Sequence, residues 1–374
     1  MSRSREIADD ANIGTALVPR ANPDLLGHEA AEKALRRLFE QNRMPHALLL
    51  TGPRGIGKAT LAFRLARFVL AGSAGELDAG LFGDTAGEGE GLWIAPDTGA
   101  FRRVASGGHA DLLTVERAYD PRRRRLRAEI VVDDVREIAS FLRLTPAEGG
   151  WRVVIVDGAD EMNRNGANAL LKILEEPPSR ALLLLVAHSP GRLLPTIRSR
   201  CRRMALSPLA PVLVRELLVR YRPELSEREA EAVAALAGGS TGRALDLAAA
   251  GGVELYRSVL GLLDRDARID PLVLHAFADR LARAEAEEGY RATEDLLGRL
   301  LARVAVSAVR PIPETASETE ENSVLRRLGN GAPAARWAEL REEIRQSFAR
   351  TDDLNLDRKQ TILSAFFAIE RAAG

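Results

Sequence analysis

At 374 residues the chain is too long for one small core, and its 46% hydrophobic and 28% charged content is ordinary for a globular protein. Lys plus Arg total 53 and Asp plus Glu total 53, so no net field advertises nucleic acid or membrane, although a locally basic groove stays compatible with that balance. A single cysteine, Cys201, excludes an intrachain disulfide and a Cys-based zinc site, and the five histidines show no metal-ligand spacing. The stretch from Met1 to Asp10 is polar and lacks the apolar segment of a signal peptide, and no apolar run reaches membrane-span length. The expected location is the cytoplasm, with no membrane partner.

Residues 1–24 read as an N-terminal tail. Ala47 to Leu50 predicts a buried strand running into Gly52-Pro53-Arg54-Gly55-Ile56-Gly57-Lys58, and Leu61, Leu65 and Phe68 follow at helical spacing. Strand, glycine turn and helix in that order are the context of a phosphate-binding loop. Its backbone N–H groups cradle phosphates and its lysine reaches the β- and γ-phosphates. The hydroxyl that such a loop offers to Mg²⁺ is replaced by Ala59. Thr60 lies one residue on, about 100° round the helix, and is poorly placed to substitute.

Gly72 to Gly108 is glycine-rich and acidic with little periodicity, and reads as an exposed insertion. Asp111 to Val115 predicts a second strand. The run Arg122 to Arg125 reads as a solvated loop in preference to a DNA contact. Val135, Ile138, Ala139 and Leu142 mark a helix. Trp151 to Asp157 is a third strand ending in an acid, the position from which phosphate-loop ATPases help to hold Mg²⁺. The following residue, where such enzymes usually carry a water-polarising Glu, is Gly158; Asp160 and Glu161 come later on the outgoing turn. Ala167, Leu170, Leu171 and Leu174 predict another helix, Leu182 to Ala187 a fourth strand, and Met204 to Leu206 a fifth. Buried strands alternating with helices imply a parallel sheet covered on both faces. After Pro208 the strand signals stop. Pro211 to Tyr221, Ser226 to Ala237 and Ser240 to Ala250 predict three short helices, and from about Glu254 the chain reads as helical, interrupted by a loop from Pro311 to Pro333.

Asn168-Ala169-Leu170-Leu171-Lys172-Ile173-Leu174-Glu175-Glu176-Pro177-Pro178, followed by Ser199-Arg200-Cys201, resembles the bacterial DNA polymerase III clamp-loader family. Leu26-Gly27-His28-Glu29 and Met44-Pro45-His46-Ala47-Leu48-Leu49 match the same family. The resemblance covers about Leu25 to Ala250 well and the C-terminal helices in outline. It implies an α/β parallel-sheet AAA+ (phosphate-loop) domain over 25–207 with the loop insertion 72–108, a small helical lid over 208–251, and an all-α C-terminal collar over 252–374 that joins subunits. Within the family the pattern is nearer the delta-prime type than the ATP-hydrolysing gamma/tau type. Ala59 and Gly158 stand where gamma/tau carries its hydroxyl and catalytic Glu. Ala187-His188 does not reproduce the residues that sense the γ-phosphate, and Gly242 holds the place of the nucleotide-sensing Arg, with Arg243 displaced by one. The four-Cys zinc module of many members is absent from the insertion.

The same resemblance implies that Arg200 is an arginine finger acting in trans on ATP bound by a gamma/tau neighbour, in a hetero-oligomer that also holds delta, the sliding clamp and primed DNA. Candidate nucleotide ligands of the chain's own loop are Gly52, Gly55, Gly57, Lys58, Thr60 and Asp157, working or vestigial. ATP binding therefore stays open, Mg²⁺ is poorly supported and zinc is not expected. The helices starting near Asp133 and Asn163 are implied to face the central chamber, where Arg164 could meet a DNA phosphate and Asp133 and Asp134 could not do so favourably. Blander readings stand beside these: a bare strand–helix turn for the loop, a turn-capping acid for Asp157, and a helix-end arginine paired with a local carboxylate for Arg200. His46 and His188 read as structural and Cys201 as a small buried residue. The rival function is an autonomous AAA+ ATPase, gamma/tau-like or another remodelling enzyme, with Asp160 or Glu161 and Thr60 supplying the missing groups. A third reading, a DNA-binding module without a nucleotide role, is opposed by the retained Lys58 and glycines.

Overall fold

A computed structural model of the chain describes residues 18–73, 91–120, 125–148, 150–264, 269–310, 312 and 319–374. It divides into two compact units, one made of 1–223 with 238–243 and the other of 224–237 with 244–374.

The first unit is built on a five-stranded sheet: β1 (Ala47–Thr51), β2 (Leu112–Val115), β5 (Arg152–Asp157), β6 (Ala181–Ala187) and β7 (Arg202–Ala205). Their order is β2-β5-β6-β1-β7 and every pairing is parallel, with Leu48 opposite Leu184 and Val154 opposite Leu183. β1 and β6 are buried along their whole length, which is why they read as unbroken apolar runs without alternation. The pleat still sorts their side chains. Leu48, Leu50, Leu182, Leu184 and Val186 pack with Leu61, Leu65 and Phe68 of α2 (Lys58–Ser73) on one face. Leu49, Leu183, Leu185, Val154 and Val156 pack on the other face with Val135, Ile138 and Leu142 of α4 (Val132–Leu142) and Leu170 and Leu174 of α5 (Arg164–Glu175). Each such side chain contributes about 1.5–3 kcal/mol of burial. The α/β parallel-sheet class with phosphate-loop topology is thus the one observed. Among the described residues no helix is long and apolar enough to cross a membrane.

Two expectations are corrected. The insertion is not wholly exposed: Leu92 and Ile94 are buried, and α3 (Gly99–Ala105) buries Phe101 and Val104 in the sheet's core. Its N-cap is Thr98, whose Oγ1 accepts from the Phe101 N–H at 3.3 Å. Residues 74–90 of the insertion lie outside the described residues, as do Arg122, Arg123 and Arg124 of the arginine run. Arg125, the last of the run, opens β4 (Arg125–Leu126), which pairs antiparallel with β3 (Tyr119–Asp120), a short pair that periodicity could not reveal. The stretch from Pro311 to Pro333 is not a loop throughout. α13 (Glu320–Gly331) starts at Thr319, which caps the Asn322 N–H at 3.2 Å, and Val324, Leu325 and Leu328 bury its inner face.

The first unit also carries α1 (Glu29–Glu40) before β1, α6 (Pro195–Arg200) between β6 and β7, and α7 (Pro211–Tyr221) after β7, while α8 (Glu227–Ala237) belongs to the second unit. α9 (Thr241–Ala249) begins in the first unit and continues in the second. The second unit adds α10 (Gly252–Leu263), α11 (Pro271–Leu281), α12 (Glu287–Val309), α14 (Ala334–Leu354) and α15 (Arg358–Ala373). Its core lines up Leu296, Leu297, Leu300, Leu301 and Val304 of α12 with Trp337, Leu340, Ile344 and Phe348 of α14. Tyr290 stacks on Phe348 with ring centroids 4.8 Å apart, and the Trp337 indole N–H donates to the Ala332 carbonyl at 3.1 Å. A partly buried polar knot joins α10, α12 and α13, where Tyr256 donates to Glu321 Oε1 and Arg303 pairs with the same carboxylate.

Candidate functional site

β1 delivers the chain to the carboxyl edge of the sheet, and the glycine loop turns it into α2. Gly55 and Gly57 have φ of +75° and +97°, a backbone region that side chains enter only with strain, so the sequence places glycine where the curl requires it. His28, at the start of α1, supports the loop from behind: its Nε2–H donates to the Ile56 carbonyl at 2.7 Å. Lys58 is 2% exposed, and its ammonium donates to the Pro53 carbonyl at 2.5 Å. Burial lowers its pKa to about 8, against the opposing pull of Asp157 and Asp160. A buried lysine whose ammonium donates to a neutral carbonyl suits a phosphate, which would supply charge compensation.

The Mg²⁺ side of the site does not fit as well. Ala59 has no oxygen, and Thr60 is buried in the first turn of α2. Asp157 closes β5 with its pKa raised to about 6, first by burial and then by the nearby Glu116, while Lys58 and Arg54 act in the other direction. At neutral pH that still leaves the carboxyl mostly ionised, so what the Mg²⁺ side lacks is the loop hydroxyl and not the strand-end charge. The residues therefore fit nucleotide phosphates and lack the loop hydroxyl that would be offered to Mg²⁺.

The two carboxylates that could replace a catalytic Glu are already engaged. Asp160 is buried and accepts the backbone N–H groups of His188 and Ser189 at 2.9 and 2.7 Å, tying the outgoing turn to the end of β6. Glu161 pairs with Arg117 at 2.8 Å. Gly158 itself is left-handed, with φ +80° and ψ +44°, and a Cβ there would sit 2.8 Å from Glu161 Oε2. His188 is held neutral, its pKa lowered to about 4 by burial and then by the charge of Lys58.

Gly242, read as a lost sensor position, makes a direct backbone contact. Its N–H donates to the Gly55 carbonyl at 3.0 Å, and a Cβ on it would lie 3.0 Å from Gly55 Cα. Beside it the Ser240 hydroxyl donates to the Arg54 carbonyl at 2.9 Å and accepts the Arg243 N–H at 3.1 Å. Residues 240–242 thus clasp the outer side of the loop. The sequence signal for this clasp is the pair of small residues themselves, which composition alone does not distinguish from a flexible turn.

Arg200 ends α6, away from the loop residues. Its Nη1–H donates to the Thr196 carbonyl at 3.2 Å, and Nη2 pairs with Glu175 at 2.8 Å, with side-chain exposures of 36% and 49%. The local-carboxylate pairing is therefore present, and the guanidinium still reaches solvent. Cys201 is buried, and burial pushes its thiol up to about 11, which leaves it unreactive at neutral pH. His46 is half-buried beside β1. At the implied chamber face, Asn163 caps α5 by accepting the Gly166 N–H at 2.8 Å and leaves Arg164 exposed. Asp134 accepts the Val131 N–H at 2.9 Å and Asp133 pairs with Arg136, so the start of α4 already carries its own negative charge.

A family model described as DNA polymerase III, delta subunit, matches residues 27–210. A DNA polymerase III subunit delta' from Pseudomonas aeruginosa is 38% identical over 203 residues, covering 52% of this chain and 53% of that protein. A subunit delta' from Bacillus subtilis is 30% identical over 189 residues, 50% of each chain. A subunit gamma/tau from Mycobacterium bovis is 30% identical over 290 residues, 75% of this chain and 46% of the other. The chain spans about half the length of these curated relatives.

Proposed function

Because the chain belongs to the delta-prime family of bacterial DNA polymerase III clamp-loader subunits, we propose that it is a non-hydrolysing member which completes the ATP site of a gamma/tau neighbour through Arg200. The observation that carries this reading is the fate of the catalytic carboxylates. Gly158 is left-handed, Asp160 is spent on two backbone N–H groups, and Glu161 is paired with Arg117, whereas Arg200 stays solvent-accessible at a helix end. Arginine suits the role because its planar fork remains charged and matches phosphate oxygens. A finger supplied in trans accelerates phosphoryl transfer about 10³–10⁵-fold in the best-studied systems, or about 4–7 kcal/mol of barrier.

In this account residues 25–207 form the nucleotide-binding domain, 208–251 the lid and 252–374 the collar of a cytoplasmic hetero-oligomer with gamma/tau and delta that acts on the sliding clamp and primed DNA. Gly52, Gly55, Gly57 and Lys58 hold the phosphates of any bound ATP. Thr60 and Asp157 are vestigial, and no zinc takes part. Arg164 touches DNA phosphate at the chamber face. The rival, an autonomous AAA+ ATPase, draws support from the intact loop and Lys58, but it needs a carboxylate that the turn after β5 does not leave available. The discriminating experiment compares Mg²⁺-dependent ATP turnover by the isolated chain with turnover by gamma/tau before and after the chain is added. No turnover alone and a rise on addition are expected. Turnover by the isolated chain would overturn the proposal.

A further inference from the structure

We propose that Glu175 is a positioning residue for Arg200, holding the guanidinium aside until a neighbour's phosphate displaces it. The inference rests on the arginine-finger reading above and concerns the regulation of that same site. Arg200 is tethered twice: by its own helix, through Nη1 to the Thr196 carbonyl at 3.2 Å, and by α5, through Nη2 to Glu175 at 2.8 Å. The first tether aims the side chain. The second covers one end of the donor fork with a carboxylate oxygen, which competes with phosphate for that donor.

Glu175 is an unfavourable residue for the helix that carries it. It is the last residue of α5 and is followed by Glu176 at the C-cap, so two carboxylates stand at the negative end of a helix dipole. Its side chain is 49% exposed, so packing gives no reason for it either. What Glu175 has is reach to Arg200. Because both partners are substantially exposed, the pair is weak, and exposed pairs shift equilibria by about one- to fivefold. A single carboxylate therefore yields to the denser charge of a polyphosphate, while still lowering the fraction of time that Arg200 is free when no properly seated phosphate is present. The result is a finger restrained between engagements, so that hydrolysis at the neighbouring site tracks correct docking.

The test uses the fully assembled loader and measures the Arg200-dependent ATPase, the difference between loaders with the parent subunit and with Arg200→Ala. Glu175→Gln should raise that component about two- to fivefold without primed DNA, and should change it little with DNA and clamp, when docking dominates. In an Arg200→Ala background Glu175→Gln should leave total hydrolysis unchanged; the rise itself, in the loader without primed DNA, is the readout that a merely structural fastening of α5 to α6 would not produce. Unchanged or reduced Arg200-dependent ATPase in Glu175→Gln would overturn the inference, as would the same rise in the Arg200→Ala background. If Arg200→Ala leaves hydrolysis intact, the finger reading fails first and the inference falls with it, so the two failures are distinguishable.

Discussion

Gly158→Glu restores the residue type that a hydrolysing relative would carry after the strand-end acid, and the structure gives the reason it should not restore activity. Residue 158 sits at φ +80°, where a residue with a side chain costs about 1–2 kcal/mol more than glycine. Its Cβ would press on Glu161 Oε2 from 2.8 Å, which pushes Glu161 off Arg117 and forfeits an ion pair worth about 0–1 kcal/mol. The expected loss is about 1–3 kcal/mol, or about 2–12 °C in Tm for a unit of this size. Gly158→Ala isolates the backbone share of that loss. Urea denaturation of the three proteins measures it, and Mg²⁺-dependent ATP turnover by an Ala59→Thr/Gly158→Glu double variant, assayed alone, measures activity. A Gly158→Glu variant as stable as the parent within about 0.5 kcal/mol would refute the strain argument. Turnover by the double variant would refute the claim that the outgoing turn forbids hydrolysis.

Burial holds Lys58 near a pKa of about 8 against an ordinary value of 10.5, so the unfolded chain binds more protons between those values and stability rises with pH across that window. Lys58→Met should therefore be more stable than the parent below about pH 8, with the gap closing toward pH 10.5, while losing affinity for nucleotide; a pH-independent gap would contradict the burial argument. Ser240→Ala removes the hydroxyl shared by the Arg54 carbonyl and the Arg243 N–H, and should cost about 1 kcal/mol in urea denaturation. Gly242→Ala should cost more, because its Cβ meets the backbone of Gly55 at 3.0 Å, and a neutral result there would mean the clasp is not closed in solution.

The parts of the fold legible in the sequence were those whose burial is written into consecutive residues. Leu182 to Val186 could only be a strand covered on both sides, and the loop from Gly52 to Lys58 announced its own turn through glycines that sit at positive φ. Elements set by a few well-spaced contacts were harder to read. Composition hid α13, since Glu320, Glu321, Asn322 and Ser323 look loop-like until Thr319 is seen capping them and Val324, Leu325 and Leu328 are seen buried. The same holds for Phe101 and Val104 within a glycine-rich insertion. At the site, residue types pointed to Lys58, Asp157 and Arg200, but their states depend on neighbours distant in the chain. Glu116 raises Asp157, Asp160 is consumed by residues 188 and 189, and Ser240 reaches Arg54 across 186 residues. No local pattern encodes those meetings.

The central claim is that this chain serves a neighbour's chemistry through one side chain. The most direct measurement is the DNA-stimulated ATPase of the assembled loader with Arg200→Ala, alongside gel filtration to follow assembly. The account predicts an intact complex in which hydrolysis at the site this subunit completes falls about 10³-fold or more. An intact complex with unchanged hydrolysis would contradict it.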